Sequence, residues 1–172
     1  MEEIIKLAAM ECAASSILVY LQRNGLSHRH FLLDYWHLSY LSNILVSGRH
    51  IRFWSLDELY GIRMEPQRSG EEELRARLGH GQNMLLYCRP SGLPFFPREN
   101  LTHEGLGFEH MLLVHGYDAG GDVYRVTDSV VDFQGAVAAG DLRAAAAKEG
   151  EWRYFALTAP ADDFVPPTPQ AM

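Results

Sequence analysis

A cysteine, a histidine and an aspartate are the residues of this chain best suited to covalent chemistry. Cys12 lies in the segment ECAASS (11–16), whose small side chains allow another element to approach the thiol closely. Taken alone, a cysteine in a helix of this kind is more typical of a small buried hydrophobic residue. A nucleophilic role therefore requires a base elsewhere in the chain.

His110 is the candidate base. It opens the run HMLLVHGYD (110–118), so it stands at the end of a predicted strand, where an imidazole can face a cleft. The turn AGGD (119–122) then leads into a returning strand that ends at Asp128. Counting outward from this turn places His110 near 127–128, within about one residue of register. A carboxylate there would fix the histidine tautomer and stabilise its positive charge.

Cys12, His110 and Asp128 therefore predict a catalytic triad in which the aspartate orients the histidine. A thiolate at a helix N-terminus is favoured by unpaired backbone N–H groups and by a neighbouring imidazolium. No proline or glycine interrupts the stretch from Glu2 to Asn24. If one helix runs unbroken from Glu2, Cys12 lies in its middle without free N–H groups, and the catalytic interpretation fails.

The elements that must position these residues read as helices first and antiparallel strands last, an α+β arrangement. Ser27 is expected to cap a second helix that continues to about Asn43 with an aromatic face that includes Tyr40. Capping-box spacing marks two further helix starts, Ser55 with Glu58 and Ser69 with Glu72. Asp141 is expected to cap an alanine-rich helix, and the remaining predicted segments are strands at 84–87, 110–117, 123–127 and 152–157.

Length and composition predict one globular domain over residues 1–158. The chain has 172 residues, 47% of them hydrophobic and 22% charged, which is ordinary for a folded domain. The proline-rich segment 159–172 has too little periodic apolar content to pack and is expected to be a disordered tail. Cys12 and Cys88 are the only cysteines, a count typical of a reducing compartment rather than of a disulfide framework.

The charge balance argues against nucleic acid as a partner. There are 15 basic and 22 acidic residues, giving a formal net charge of −7, which disfavours binding to phosphates. No apolar run approaches the roughly 20 residues of a membrane span. Glu2 and Glu3 stand where a secretory signal would be basic. The expectation is a cytoplasmic protein with no membrane partner.

Other polar residues give weaker signals. Four side chains on the second predicted helix include possible metal ligands, but no further motif accompanies them, so a solvated or partly packed face is favoured: His28, His30, Asp34 and His37. His103 either lines a cleft or lies on the surface. Gly105-Leu106-Gly107 lacks the strand and helix that a phosphate loop requires. Neither a metal nor a cofactor is expected.

Four features together, in this order and spacing, resemble the family of the N-terminal domain of butirosin biosynthesis protein H. They are Cys12, the stretch Leu93-Pro94-Phe95, the run from His110 to Gly116-Tyr117-Asp118, and Asp128. The chain is more distantly similar to the bacteriocin-processing cysteine peptidases that are fused to ABC transporters. The resemblance covers roughly residues 8 to 130.

The resemblance implies a papain-like fold, in which a helix carrying the cysteine packs on an antiparallel sheet carrying the histidine and the acid. It implies that Cys12 is the nucleophile at a helix start, His110 the general acid and base, and Asp128 the orienting group. The implied chemistry is acyl transfer. An acyl group moves from the phosphopantetheine thioester of a carrier protein to the cysteine and then to a small-molecule amine or alcohol in natural-product biosynthesis.

The sequence departs from these families in three ways. The butirosin protein has a second domain after the papain-like part, so acceptor recognition is expected to differ here. The related peptidases carry an oxyanion-stabilising glutamine before the cysteine, whereas residues 5–11 contain none, leaving Lys6 or backbone N–H groups for that role. Cys88 stands where relatives often carry an acidic residue, and we interpret it as a core residue.

The leading hypothesis is a cysteine-dependent acyltransferase that uses Cys12, His110 and Asp128. A thioesterase with the same three residues is an alternative, in which water replaces the acceptor. A cysteine peptidase is another, in which a peptide replaces the thioester donor. A papain-like module that binds a carrier protein without catalysis is the alternative from a different class.

Overall fold

The computed structural model describes residues 12–35, 38–41, 44–47, 53–103, 109–160 and 164–165. Its helices are α1 (Cys12–Arg23), α2 (Arg29–Tyr35), α3 (Phe53–Tyr60), α4 (Glu71–Gly79) and α5 (Ala139–Ala146). Its strands are β1 (Leu38–Leu41), β2 (Ile44–Ser47), β3 (Met64–Ser69), β4 (Asn83–Cys88), β5 (His110–Asp118), β6 (Val123–Asp128), β7 (Phe133–Ala138) and β8 (Trp152–Leu157). Short 3₁₀ turns cover Pro90–Gly92 and Arg98–His103.

Six of the strands form one sheet in the order β3-β8-β4-β5-β6-β7, and every neighbouring pair is antiparallel. β1 and β2 pair separately as a two-stranded sheet. The mixture of helices and an antiparallel sheet confirms the predicted α+β class. Four of the six sheet strands, β4, β5, β6 and β8, lie where the sequence predicts them.

The central strands are buried on both faces, which explains their nearly continuous apolar sequences. Leu112 and Leu113 are adjacent in β5 and point to opposite faces, yet both have no exposed surface. Leu112 lies in a core that includes Leu142 of α5 and Leu74 of α4. Leu113 lies in a second core with α1 and α3. Helices therefore cover both faces of the sheet, and burying each such leucine contributes about 1.5–3 kcal/mol.

The C-terminal end of α1 is fixed by a Schellman motif. Gly25 has φ +66°, a conformation that glycine adopts without a Cβ penalty. The Leu26 N–H donates to the Leu21 carbonyl at 2.9 Å, and the Gly25 N–H donates to the Gln22 carbonyl at 3.0 Å. Tyr20 Oη also donates to the Thr158 carbonyl at 3.0 Å, just beyond β8. These bonds anchor α1 on the sheet and so position its opposite end, where Cys12 lies.

The second predicted helix is shorter than expected. α2 ends at Tyr35, and the next described residues form β1, so Tyr40 belongs to a strand rather than to a helix face. β1 pairs with β2 from Leu38 opposite Ser47 to Leu41 opposite Ile44. The β-branched residues of β2 provide a strand partner, and pairing overrides the helical spacing. Trp36 and Asn43, which the helix prediction also covered, lie outside the described residues.

The predicted caps are also wrong in position. Ser55 lies inside α3, not at its start. Ser69 ends β3, where its hydroxyl contacts Tyr154 Oη at 2.9 Å, and the residue that caps α4 is Gly70. α5 begins at Ala139, before the expected cap Asp141. In each case a neighbouring strand or an earlier helix start occupies the position that local spacing assigned to the cap.

The two sheet edges are the strands that sequence patterns miss. β3 contains Pro66 and several exposed polar residues, and β7 contains Gly135 and small residues. An edge strand can hold a proline because one side of it forms no ladder hydrogen bonds. Edge position therefore explains why neither segment has the apolar pattern of the central strands.

Residues near the end of the chain are described only in part. Phe164 is half-buried, and its ring lies against Gly61, where an added Cβ would come within 2.7 Å of it. The other residues described after β8 are 158–160 and Val165, so the disordered tail over 159–172 stays a prediction. In the described part of the chain, no helix combines the length and apolar character needed to cross a bilayer.

Candidate active site

His110 and Asp128 form a buried hydrogen-bonded pair at one end of the sheet. His110 Nε2 lies 2.6 Å from Asp128 Oδ2, a short distance typical of a charge-assisted bond. The side chains are only 8% and 1% exposed. His110 is the first residue of β5 and Asp128 the last residue of β6. The hairpin therefore joins the two residues that the sequence predicts as partners.

The pairing register differs from the predicted one. Leu113, not His110, pairs with Thr127, and one further step places Asp128 opposite Leu112. The side chains of His110 and Asp128 meet diagonally along one face of the sheet, because alternate residues of a strand point the same way. A β-bulge between Val114 and Gly116 shifts the register once more. Hairpin counting thus identified the right pair through the wrong alignment.

Asp128 is held in place by the turn that follows β6. Its Oδ1 accepts a hydrogen bond from the Val130 N–H at 3.1 Å, while Oδ2 faces His110. Asp132 closes this turn with φ +58°, a left-handed conformation that aspartate tolerates better than most residues. Both carboxylate oxygens are therefore engaged, and the side chain presents a fixed acceptor to the imidazole.

Cys12 is the second side chain that interacts with the imidazole of His110. It is the first described residue of α1 and is half-buried. Burial by itself lowers the pKa of His110, but hydrogen bonds to Asp128 and to the Cys12 side chain, together with their charges, raise it to about 9. Since Asp128 engages Nε2, Nδ1 is the ring nitrogen left for Cys12. The structure brings all three predicted residues together.

Residues 1–11 lie outside the described part of the chain. Two statements made from the sequence concern these residues: the condition that would defeat the catalytic interpretation, one helix unbroken from Glu2, and the suggestion of Lys6 as an oxyanion donor. Over the described residues, α1 continues from Cys12 through buried Ser15 and Ser16 to Arg23. The small residues that follow Cys12 allow α1 to lie close to β5, as expected from the sequence.

An aromatic residue that the sequence does not single out packs against the histidine. The Phe96 ring meets the His110 ring edge-on, with centroids 5.1 Å apart and planes at 72°. Phe96 directly follows the stretch Leu93-Pro94-Phe95, in which Leu93 is buried and Phe95 stacks on Phe133 at 3.7 Å. The loop after β4 therefore restricts the imidazole orientation. The sequence signal that could have identified Phe96 is the group of apolar side chains in a proline-rich loop.

Cys88 lies beside the same histidine but in a different environment. It pairs with His110 across β4 and β5, and it belongs to the core that α4 and α5 cover. Burial raises the pKa of the Cys88 thiol, and the charge of Asp128 raises it further. The interpretation of Cys88 as a core residue is confirmed.

His115 takes no part in the Cys12 arrangement. It occupies the β-bulge of β5, and its Nε2 lies 3.2 Å from Thr127 Oγ1. Burial, and to a smaller extent the positive charges of Arg23 and Arg125, lower its pKa to about 4. His115 is therefore neutral at physiological pH, and its environment differs from that of His110.

Among the residues that the structure describes, no three histidine, cysteine or acidic side chains are arranged so that they could hold a metal ion. His28 and His30 are described, whereas His37 and the side chains of Asp34 and His103 lie outside the description. Gly105-Leu106-Gly107 also lies outside it.

Comparison with known proteins adds no family assignment: the chain matches no family model, and no curated protein matches its sequence significantly.

Proposed function

We propose that this protein is a cysteine-dependent acyltransferase that works through an acyl-Cys12 intermediate. One observation carries the proposal: His110 forms a short buried hydrogen bond with Asp128, and its imidazole also interacts with the side chain of Cys12. A nucleophile, a base and a group that orients the base are the three parts of a covalent acyl-transfer site.

The proposed first half-reaction transfers the acyl group to the enzyme. The Cys12 sulfur, as a thiolate beside the imidazolium of His110, attacks the carbonyl carbon of a thioester. The new S–C bond forms, the bond to the departing sulfur breaks, and His110 donates its proton to that departing thiolate. The products are the acyl-cysteine, a free thiol and a neutral imidazole.

The second half-reaction uses the neutral imidazole as a base. An amine or alcohol binds beside the acyl-cysteine and loses a proton to His110 as its nitrogen or oxygen attacks the carbonyl. Cys12 leaves as a thiolate, and the imidazolium that forms restores the starting pair. Asp128 stabilises the imidazolium in both halves, which agrees with the raised pKa of His110.

We also propose that the fold is papain-like. Its support is the placement of Cys12 on a helix that packs against β5, with His110 and Asp128 on adjacent antiparallel strands. Helices on both faces of a six-stranded sheet are compatible with this proposal. The orientation of the three side chains, rather than the strand order, is what the proposal depends on.

The donor and the cellular setting follow from the resemblance noted in the sequence. We propose a carrier-protein phosphopantetheine thioester as the donor and a small amine or alcohol as the acceptor, in a cytoplasmic enzyme. Thioester attack demands less of an oxyanion site than amide cleavage does, which suits a chain without a glutamine in residues 5–11.

Intact-mass spectrometry with an acyl-phosphopantetheine thioester tests the proposal. We expect the protein to gain the mass of the acyl group and lose one proton, with the adduct mapping to Cys12. Cys12→Ala should form no adduct. Cys88→Ala is the matched control, since it removes the other cysteine beside His110 and should leave the adduct unchanged.

Three outcomes would contradict acyl transfer. Release of the acyl group to water with no transfer to any amine or alcohol would favour a thioesterase. Absence of an adduct, together with peptide cleavage that Cys12→Ala abolishes, would favour a peptidase. If neither activity appears and Cys12 resists alkylation at neutral pH, the non-catalytic module that binds a carrier protein is the better interpretation.

A further inference from the structure

A cavity of about 330 Å³ opens on the α1 face of the sheet, next to the candidate site. Its lining combines two aromatic rings, Tyr87 and Phe155, with three charged side chains, Arg68, Arg153 and Glu109. We call it the arginine pocket. The volume is at the small end of the range for ligand sites, large enough for part of a ligand.

Two observations place the arginine pocket beside Cys12 and His110. Glu109 directly precedes His110 in the chain and lies on the pocket wall. Tyr87 pairs with Met111, the residue that follows His110, so it lies next to the end of β5 where His110 stands. A group bound beside Tyr87 would therefore lie near His110 and Cys12.

The apolar part of the pocket is built on aromatic packing. The Tyr87 and Phe155 rings lie 5.7 Å apart, centroid to centroid, and Phe155 packs against the core beneath α1. Pro66 of the edge strand β3 pairs with Phe155 and adds a further apolar surface. This floor suits a short hydrocarbon chain.

The polar part of the pocket carries an excess of positive charge. Arg68 and Arg153 stand directly opposite each other on β3 and β8, an arrangement of like charges that costs free energy unless an anion lies between them. Glu109 pairs with Arg153. No described carboxylate pairs with Arg68. Among the described residues, Arg68 therefore adds to the pocket a positive charge that no carboxylate pairs with, in a protein whose net charge is −7.

Arg153 is also held in a defined position. Its guanidinium carbon lies 4.9 Å from the centroid of the Tyr87 ring, within cation–π range. A guanidinium fixed in this way, next to a second one, presents several N–H donors with geometry that matches a carboxylate.

We propose that the arginine pocket receives the acyl chain of the donor, and that it selects chains that carry a carboxylate at the end remote from the thioester. The hydrocarbon part lies against Phe155 and Pro66, beside the Tyr87 ring that Arg153 covers. The carboxylate binds Arg68 and Arg153. This inference rests on the proposed acyl transfer and names the substrate class of that same site.

Two small thioesters of equal chain length test the inference, adipoyl- and hexanoyl-N-acetylcysteamine, which differ in a terminal carboxylate against a methyl group. We expect Cys12 to be acylated about fivefold to tenfold faster by the adipoyl compound, because only its carboxylate can bind the two arginines. A tenfold difference in rate corresponds to about 1.4 kcal/mol. Arg68→Gln should remove this preference by lowering the adipoyl rate to about the hexanoyl rate. Arg63→Gln, which changes an exposed arginine paired with Asp57 outside the pocket, should preserve it.

Equal rates with both thioesters in the unmodified protein would overturn the inference while leaving acyl transfer intact. A further experiment compares the rates of acylation by hexanoyl-pantetheine and by hexanoyl-phosphopantetheine. If Arg68→Gln slows only the phosphorylated donor, the pocket binds the phosphate of the donor arm, and the carboxylate assignment is wrong.

Binding measured without chemistry separates the two proposals. Cys12→Ala should still bind the adipoyl thioester more tightly than the hexanoyl one in an NMR titration, with chemical-shift changes at Tyr87 and Phe155. If this preference depends on Arg68 but no thioester ever acylates Cys12 in the unmodified protein, acyl transfer fails and the anion pocket stands. Loss of the preference in the titration overturns the pocket.

Discussion

Cys12 and Cys88 lie beside the same histidine and yet have opposite environments. Cys12 is half-buried on α1 and hydrogen-bonds to His110, whereas Cys88 is buried on the central strand β4, within a core of leucines and aromatic rings. Cys88 is even the direct cross-strand partner of His110. Proximity to a base is therefore not enough to identify a nucleophile.

The two thiols differ in their exposure to solvent and in their contact with the imidazole of His110. Burial raises the pKa of Cys88, and the charge of Asp128 adds to this effect, so Cys88 remains a neutral thiol. Cys12 keeps partial access to solvent and interacts with the imidazole that Asp128 engages through Nε2. The same carboxylate thus adds to the effect of burial on Cys88 and supports the imidazolium beside Cys12.

The largest expected effect is the difference between Cys12 and Cys88 in their rates of alkylation. With iodoacetamide at neutral pH, the folded protein should be modified at Cys12 and not at Cys88, because Cys12 keeps partial access to solvent beside His110, whereas Cys88 is buried. Peptide mapping by mass spectrometry measures both sites at once. In denaturant both cysteines should react, which provides the control. Modification of Cys88 first in the folded protein would reverse the comparison.

Replacing His110 by glutamine should come next in magnitude. The loss of the acid and base is expected to slow acylation of Cys12 by about 10²–10⁴-fold. The reactivity of Cys88 should not change, since burial rather than His110 suppresses it. Stopped-time intact-mass assays give the rate. A circular dichroism spectrum like that of the unmodified protein should accompany the result, and an unaltered rate would remove His110 from the mechanism.

Asp128→Asn tests the orienting group. Removing its charge should lower the pKa of His110 from about 9, because the hydrogen bond and charge of Asp128 raise it together with those of Cys12. The His110 Hε1 resonance, followed by NMR over pH, reports this directly. We expect acylation to slow by less than in His110→Gln, because the imidazole that acts as acid and base is still present. An unchanged titration midpoint would mean that Asp128 is only structural.

The hydrogen-bonded pair of His110 and Asp128 makes the free energy of unfolding depend on pH. The pKa of His110 is about 9 in the folded protein, above the value of about 6.5 for a histidine in an unfolded chain. The protonated form thus favours folding, so its contribution is fully present below pH of about 6.5 and is lost as pH rises through about 9. Chemical denaturation at several pH values should show this decline, and Asp128→Asn should flatten it.

The smallest effect should come from Cys88 itself. Cys88→Ser buries a hydroxyl in an apolar core and should lower the free energy of unfolding by about 1–3 kcal/mol. Cys88→Ala should cost less, since it buries no polar group. Both variants should acylate at Cys12 at the normal rate. A Cys88→Ala protein that folds normally but fails to acylate would show that the two cysteines are not independent.

The sequence by itself determined the elements whose patterns are set by burial. The continuous apolar runs of β4 and β5 and the alternation of β8 follow from packing on both faces or one face of a sheet, so local sequence was sufficient to find them. The hairpin of β5 and β6 likewise brought His110 and Asp128 into one prediction, because its turn is short and local.

Only the tertiary structure decided the edges, the register and the approach of Cys12. β3 and β7 carry weak patterns because an edge strand is half solvated, and the true alignment of β5 with β6 includes a bulge that no local signal marks. Cys12 lies far from His110 in the chain, and the two meet because α1 packs on β5 through Leu113 and its neighbours. A contact of this kind depends on the summed burial of many side chains, which local residue patterns do not encode.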